Sequence, residues 1–201
     1  MGGEEVPADA AGPRGGTGPA GLGGLFEDLE QQAAGMHLAE RDAELVDRAR
    51  GEYAAVTLAS RVHASTNRQV LFTLGGGEVL DGTLVEAGTD WCTISTPEPP
   101  ALWLVRLAEI AVAQGMSDRA VPEAARPAVA RLGFASALHR LAGESLHVVI
   151  HPVSGRDLRV RVVRIGADFV EVARDQTDAV PAASPLLVPF SAVRAVRGER
   201  L

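Results

Sequence analysis

The chain has 201 residues, 46% of them hydrophobic, and a formal net charge of −7. This length allows one large domain or two small ones, and the net negative charge disfavours sequence-independent binding to the phosphates of nucleic acids. Cys92 is the only cysteine, which excludes an intramolecular disulfide and a zinc site built on cysteines.

Charge is distributed unevenly along the chain. Residues 1–69 and 70–120 each carry −5, whereas residues 121–201 carry +3, so only the last third can offer a basic surface. All 19 basic residues are arginines, a bias typical of GC-rich bacterial genomes. The N-terminus lacks a basic start followed by an apolar run, and no segment approaches the roughly 18–20 apolar residues of a membrane span. We therefore expect a cytoplasmic protein without a membrane partner.

The first third of the chain predicts a tail and a helical segment. Residues 1–24 are rich in Gly, Pro and Ala, and they are expected to be disordered. Residues 25–66 follow as an amphipathic helical segment, because apolar residues recur there at spacings of three and four, including one stretch from Tyr53 to Val62. Such a segment either packs on the β structure of its own chain or forms an arm that pairs with another subunit.

After Asn67 the hydrophobic period changes to two, which is typical of β-strands. Residues 67–116 predict a small barrel of five strands, placed at 70–74, 79–86, 91–95, 102–107 and 110–113. Glycine-rich turns separate the first three strands, and Gly88 in the second turn is expected to adopt a positive φ, as is Gly166 later in the chain.

A linker and a second β segment complete the pattern. Residues 117–144 predict a linker helix over 122–142, with Pro122 in its first turn and Gly143 at its end. Residues 145–201 then repeat the five-strand pattern. These strands are expected at 146–150, 158–164, 169–173, 186–190 and 193–196.

The two β segments match each other residue by residue. Residues 70–94 recur as residues 148–172 at a constant offset, which indicates two copies of one supersecondary unit. The matching positions in the first segment are Val70, Phe72, Gly77, Leu80, Leu84, Val85, Gly88, Asp90, Trp91 and Ile94. Their counterparts are Val148, Ile150, Gly155, Leu158, Val162, Val163, Gly166, Asp168, Phe169 and Val172. A five-stranded unit of this size is marginally stable alone, so two such barrels with helices over their exposed ends are expected.

The repeated pattern resembles a known class of small barrels. Its turns, the Gly88-Thr89-Asp90-Trp91 segment and the closing segment Val188–Val193 are similar to those of Sm-like and PRC-type SH3-like barrels. The whole chain is also similar to uncharacterised actinobacterial proteins, some of which carry the label of Fis-type transcriptional regulators. The resemblance implies an α+β fold, mainly β with helices, in which two tandem small SH3/Sm-like β-barrels accompany an N-terminal amphipathic helix and an inter-barrel helix.

The same resemblance does not extend to the activities of those relatives. RNA-binding Sm-like proteins carry an Asn shortly after the Asp of the third strand, and neither Asp90 nor Asp168 is followed by one. A Fis-type protein needs a helix-turn-helix, whereas the predicted linker helix is followed by a strand. RNA binding and the regulator label therefore do not transfer to this chain.

The sequence contains no pattern that predicts catalysis. His147 and His151 lie four residues apart on a strand, but no neighbouring residue supplies the further ligands that zinc needs. No serine has the Gly-x-Ser-x-Gly context of an activated nucleophile. We therefore expect a protein that is not an enzyme and that has no catalytic residue, cofactor or metal.

The repeat inverts charge at three positions, where acids of the first segment become arginines of the second. Glu78, Asp81 and Glu86 become Arg156, Arg159 and Arg164, and Arg161 adds to the basic set. Arg159 and Arg161 share one face of a strand, whereas Arg164 has the opposite parity and needs a bulge or the end of the strand to join them. These seven candidate interaction residues are either solvated surface charges or complementary faces that dock within the chain or head-to-tail between chains.

Two functions remain open at this point. The leading one is a non-enzymatic binding or assembly module that acts through the barrel faces and the N-terminal helix, with a protein partner or itself. The alternative is a nucleic-acid-binding regulator of transcription or RNA that uses the arginine-rich face of the second barrel and the arginines of the 126–140 segment.

Overall fold

The computed structural model describes residues 47–145, 147–174 and 185–199, together with Glu30, Gln32, Gly35, Met36, Arg41, Glu44 and Leu45. The expected tail at residues 1–24 lies outside these residues. The chain divides into two compact units, residues 1–55 and 56–201.

In the first unit the described residues up to residue 54 are helical. Side chains on successive turns form the ion pairs Arg48–Glu52 at 3.7 Å and Arg50–Asp47 at 3.5 Å, which is the spacing at which helix surface charges meet. This confirms a helix in the part of the predicted segment that the structure describes.

The described residues of the second unit are mainly β, with two α-helices, α1 (Leu58–Ala64) and α2 (Phe134–Glu144), and ten antiparallel strands. The first five strands are β1 (Gln69–Leu74), β2 (Val79–Ala87), β3 (Trp91–Pro97), β4 (Pro100–Arg106) and β5 (Ile110–Gln114). The others are β6 (His147–Pro152), β7 (Leu158–Ile165), β8 (Phe169–Arg174), β9 (Leu186–Pro189) and β10 (Val193–Glu199). All ten predicted strands are present, with boundaries that differ by a few residues.

All ten strands belong to one unclosed sheet in the order β5-β1-β2-β3-β4-β10-β6-β7-β8-β9. The sequence predicted two separate barrels. The hydrogen-bonded ladder runs from β4 into β10, so the first five strands and the last five, which the sequence assigned to different barrels, share one sheet. We call α1 with β1–β5 repeat 1, and α2 with β6–β10 repeat 2.

The two repeats have the same strand order and the same pairing register. Phe72 faces Leu80 in repeat 1, as Ile150 faces Leu158 in repeat 2. The register also shifts at the same place, between Leu84 and Glu86 and between Val162 and Arg164. Since a one-residue slip would turn every side chain to the other face, this agreement shows that the sequence duplication is also a structural one.

Paired glycines have two different roles. Gly77 and Gly155, in the turns that follow β1 and β6, have φ values of 84° and 101°, which glycine adopts without steric cost. Gly88 and Gly166 do not have positive φ, contrary to the prediction. The ring of the following aromatic residue, Trp91 or Phe169, lies where a Cβ atom would stand. The glycine is needed for close approach of this ring.

Helix boundaries differ from the predicted ones. The helix expected from Tyr53 to Val62 is interrupted, because Thr57 forms a capping box with Ser60, each side chain accepting a hydrogen bond from the other's backbone N–H at 3.2 Å. The linker predicted as a helix over 122–142 is helical only from Phe134. Two short 3-10 turns precede it, and Pro127, which cannot donate a backbone hydrogen bond and disfavours the helical conformation of its predecessor, separates them.

Two apolar clusters form the interior of the sheet unit. One contains the buried side chains of repeat 1, such as Phe72 and Leu84, together with Ala195 of repeat 2. The other contains α2 and the buried side chains of repeat 2, together with Trp91 and Leu104 of repeat 1. Each cluster therefore includes residues from across the line where the repeats meet.

Candidate interaction surfaces

The three acids of the charge-inverted set contact neighbours within their own chain. A carboxylate oxygen of Glu78 lies 3.7 Å from Nδ1 of His151, and Asp81 accepts a hydrogen bond of 2.6 Å from Gln69. Glu86 binds the guanidinium of Arg140 through both carboxylate oxygens, at 3.0 and 2.9 Å. These contacts leave the acids less available to a partner than the sequence suggested.

Two of the four arginines of the set are also paired. Arg159 lies 2.9 Å from Glu199, and Arg164 contacts Glu171 through two guanidinium nitrogens at 2.8 Å. Arg156 and Arg161 are exposed and have no ion pair within the described part of the chain. The strand register shifts between Val162 and Arg164, and Arg164 is exposed together with Arg159 and Arg161. A bulge is one of the two ways in which the sequence allowed Arg164 to join their face.

Among the described residues, no ion pair joins the acidic set to the basic set. Docking of the two faces within one chain is therefore not what holds the repeats together in this structure. Their docking head-to-tail between chains stays a prediction.

The repeats are joined by backbone pairing between β4 and β10. Residues 102–105 of β4 pair antiparallel with residues 195–198 of β10, and Leu104, Val105, Ala195 and Val196 at this junction are fully buried. Complete burial of a Leu or Val side chain contributes about 1.5–3 kcal/mol. These junction residues are as fully buried as the interior of each repeat.

Aromatic and charged side chains reinforce this junction around His151, which is buried. Its Nδ1 lies 3.1 Å from Asp157 of its own repeat and faces Glu78 of the other. The His151 ring lies 4.8 Å, centroid to centroid, from that of Trp103 on β4, and the guanidinium of Arg197 lies 5.7 Å from the Trp103 ring. The sequence analysis did not identify Trp103 as functional, and a lone Trp on a strand carries no signal for this role.

Helix α2 and the segment before it hold repeat 1 through Trp91. The indole Nε1 donates a hydrogen bond of 2.8 Å to the Leu132 carbonyl. The Arg140 guanidinium lies 5.5 Å from the indole ring while it binds Glu86. A buried indole with its N–H satisfied and a cation over its face is a strong anchor.

The sheet leaves two edges without a strand partner in the part of the chain that the structure describes. β5 pairs only with β1, and β9 pairs only with β8. Each edge carries an exposed apolar residue, Val112 with 49% of its surface accessible and Leu187 with 63%. An exposed apolar edge strand is a surface on which another strand can pair.

Two titratable side chains in the described residues, those of Cys92 and His63, have shifted pKa values. No group of three His, Cys, Asp or Glu side chains there could hold a metal ion. Burial raises the pKa of the Cys92 thiol well above its usual value, which disfavours the reactive thiolate. Burial and the charge of Arg126 lower the pKa of His63, whose Nε2 lies 3.2 Å from the Gly88 carbonyl oxygen. None of the helices in the described residues is long and apolar enough to cross a membrane.

No protein family matches this chain, and no curated protein is significantly similar to it. The sequence did not predict the two free edges of the sheet. No local pattern in the sequence signals these edges, because they are defined by the pairing of β4 with β10.

Proposed function

We propose that this chain is a non-enzymatic assembly module that binds partners by extending its β-sheet at β5 and β9. The observation that carries the proposal is the junction between the repeats, where one repeat already binds the other through an edge strand. The sheet that results is unclosed and retains one edge from each repeat. Main-chain hydrogen bonds supply affinity in this mode of binding, and side chains on the strand supply specificity.

The chemistry of the β9 edge limits the length of such a contact. Pro185 and Pro189 bound this strand, and proline cannot donate a hydrogen bond to a neighbouring strand. Only Leu186–Val188 can pair completely. A short edge strand flanked by prolines is a common protection against uncontrolled aggregation, so we expect a weak and selective contact.

Within this proposal each repeat is an SH3/Sm-like barrel. Support comes from the five antiparallel strands of each repeat, their common order and the two separate apolar clusters. The register shifts in β2 and β7 also support it, because bulges bend strands as a small barrel requires. We also propose that the chain is related to the actinobacterial proteins that it resembles and that it functions in the cytoplasm.

Edge-directed substitutions test the proposed function. We expect Val112→Lys and Leu187→Lys each to remove partners, because a charged side chain on an edge strand opposes pairing. The readouts are the mass of the purified chain in solution and the set of proteins that it retains from an extract of its native cell. Val163→Lys, which changes an exposed valine on the inner strand β7, serves as control. If edge variants and parent have the same mass and retain the same proteins, the proposal is wrong.

The alternative function, a nucleic-acid-binding regulator, is supported by the exposed Arg156 and Arg161. It is weakened by the ion pairs of Arg159 and Arg164, since a guanidinium already bound to a carboxylate contributes less to a phosphate contact.

We expect the chain to pass unretained through a heparin column at about 150 mM salt, where phosphate-type contacts still hold. The double substitution Glu171→Gln and Glu199→Gln releases Arg164 and Arg159 from their carboxylates. This variant should be retained more strongly and serves as a positive control. Retention of the parent chain would favour the alternative function.

A further inference from the structure

We infer that the helix of the first unit pairs with the same helix of a second molecule, in antiparallel orientation, and so forms a closed dimer. This helix is separate from the sheet edges of the proposed function, so an experiment can reject either contact without rejecting the other. The starting point is the exposure of the helix, since every described residue of the first unit is exposed.

One face of this helix carries a stripe of apolar side chains. Leu45, Ala49 and Tyr53 lie four residues apart and therefore share one face, which we call the helix stripe. Leu45 and Tyr53 have 64% and 65% of their surface accessible. An isolated helix is only marginally stable in water, and most of the stability of helices in proteins comes from burial of an apolar face. The helix stripe therefore requires a cover that the described residues of its own chain do not supply.

Charged side chains on both sides of the helix stripe indicate what covers it. Arg48 and Glu52 form an ion pair along one side, and Asp47 and Arg50 form another along the other side. An apolar stripe between rows of mixed charge is the arrangement by which helices pair in coiled coils. A helix that binds a membrane surface carries an excess of Lys and Arg on its polar face, whereas these four charges sum to zero. The cover is therefore another helix.

The order of charges along one side selects the antiparallel orientation. In a parallel pair Arg48 faces Arg48 of the second molecule and Glu52 faces Glu52, so like charges repel. In an antiparallel pair the second helix presents the same residues in reverse order, so each Arg48 approaches a Glu52 and both contacts are attractive. A second molecule of the same chain brings the complementary residues at the required spacing.

The sizes of the side chains in the helix stripe determine the register of the pair. With Ala49 at the two-fold axis, Leu45 of each helix lies opposite Tyr53 of the other, because both are four residues from the axis. The small alanine allows the two backbones to approach closely, and the larger side chains fill the space on either side. The same surface is used by both molecules, so the contact is isologous and closes as a dimer.

A cross-link at the two-fold axis tests this inference on the full, purified chain. Helix axes about 8–10 Å apart bring facing Cα atoms within the range of about 4.4–6.8 Å that a disulfide spans. Mild oxidation of the variant Ala49→Cys should therefore produce a disulfide-linked species of twice 21.0 kDa. The buried Cys92 of the native chain does not compete.

The matched control is Ala54→Cys, the same substitution at another exposed helical residue. Five residues of displacement place this cysteine about 140° around the helix from Ala49, so we expect a yield of linked species at least about tenfold lower. Equal yields from the two variants would overturn the inference. So would the absence of a linked species from Ala49→Cys at concentrations from about 1 μM to 1 mM.

Charge reversal tests the antiparallel orientation. Arg48→Glu and Glu52→Arg each replace two attractive contacts between molecules by two repulsive ones, so each variant alone should dimerise at least about tenfold more weakly in sedimentation experiments. An equimolar mixture should recover the dimer, because the two acids of one variant then face the two arginines of the other. Like charges within each helix remain in the mixture, so recovery reports the contact between molecules. A mixture that stays monomeric would overturn the antiparallel pair.

The edge variants Val112→Lys and Leu187→Lys separate this inference from the proposed function. They should leave the helix-mediated dimer intact, because neither residue belongs to the first unit. If the edge variants dissociate the dimer and the charge-reversed helix variants do not, a second molecule binds at the sheet edges. In that case the proposed function stands and the helix contact is rejected.

Discussion

Trp91→Ala is expected to lower the free energy of unfolding by about 3–5 kcal/mol. Trp91 is fully buried, and its cluster includes Leu104 of its own repeat and Leu138 of α2. The substitution removes the largest side chain at this point and leaves the Leu132 carbonyl without the indole N–H. It also removes the ring that lies beneath Arg140. The effect is large because this one side chain joins β3 to α2 and to the segment before α2.

Urea unfolding followed by circular dichroism measures this difference. Trp91→Phe is the matched control, since the structural counterpart of Trp91 in repeat 2 is Phe169. The phenyl ring preserves most of the contact and loses the hydrogen bond, so its cost should be about 1–3 kcal/mol. A loss for the alanine variant no greater than that for the phenylalanine variant would contradict the assigned role of the ring.

Gly82→Ala is expected to destabilise the sheet by about 1–3 kcal/mol, the usual cost of overpacking. A Cβ atom at this position would meet the backbone carbonyl of Ser95, and it would lie 2.9 Å from Cγ2 of Ile94. The carbonyl belongs to β3 and cannot move without disturbing its ladder. Comparison of the repeats alone would suggest the opposite, because the counterpart of Gly82 is the buried Val160.

Gly143→Ala provides a control of opposite sign. Gly143 lies in α2, and a Cβ atom added there would meet no neighbouring group within 4 Å. Alanine at this position should therefore stabilise the helix by about 0.5–1 kcal/mol. The two variants add the same methyl group, so their difference isolates the steric contact. Thermal unfolding of both, compared with the parent, gives the result. A neutral Gly82→Ala would show that the β2–β3 contact is looser than described.

The strands were predictable from sequence because local rules determine them. Short apolar segments, separated by turns and loops rich in Gly or Pro in several places, identified all ten, including β5 and β9. The duplication of residues 70–94 was predictable for the same reason. Helix boundaries were harder to predict from the sequence. The start of α1 is determined by the capping box of Thr57 and Ser60 and not by a change in the spacing of apolar residues.

The candidate site was less predictable than the fold. Charge inversion drew attention to residues such as Glu86 and Arg164, which the structure shows bound to Arg140 and Glu171. The pairing of β4 with β10 joins residues about ninety positions apart, and no local pattern reports contacts at that separation. The free edges follow from that pairing, so they could not be located before it was known.

The position of β10 has a consequence for biosynthesis. Val193–Glu199 follows the other nine strands in chain order, yet it lies between β4 and β6 in the middle of the sheet. During translation, which adds roughly 5–20 residues per second, both of these strands wait with an open flank until β10 leaves the ribosome. A nascent chain stalled before residue 193 would leave one edge of β4 and one edge of β6 without a strand partner, whereas β10 covers both edges in the folded chain. We expect chaperones to bind this intermediate.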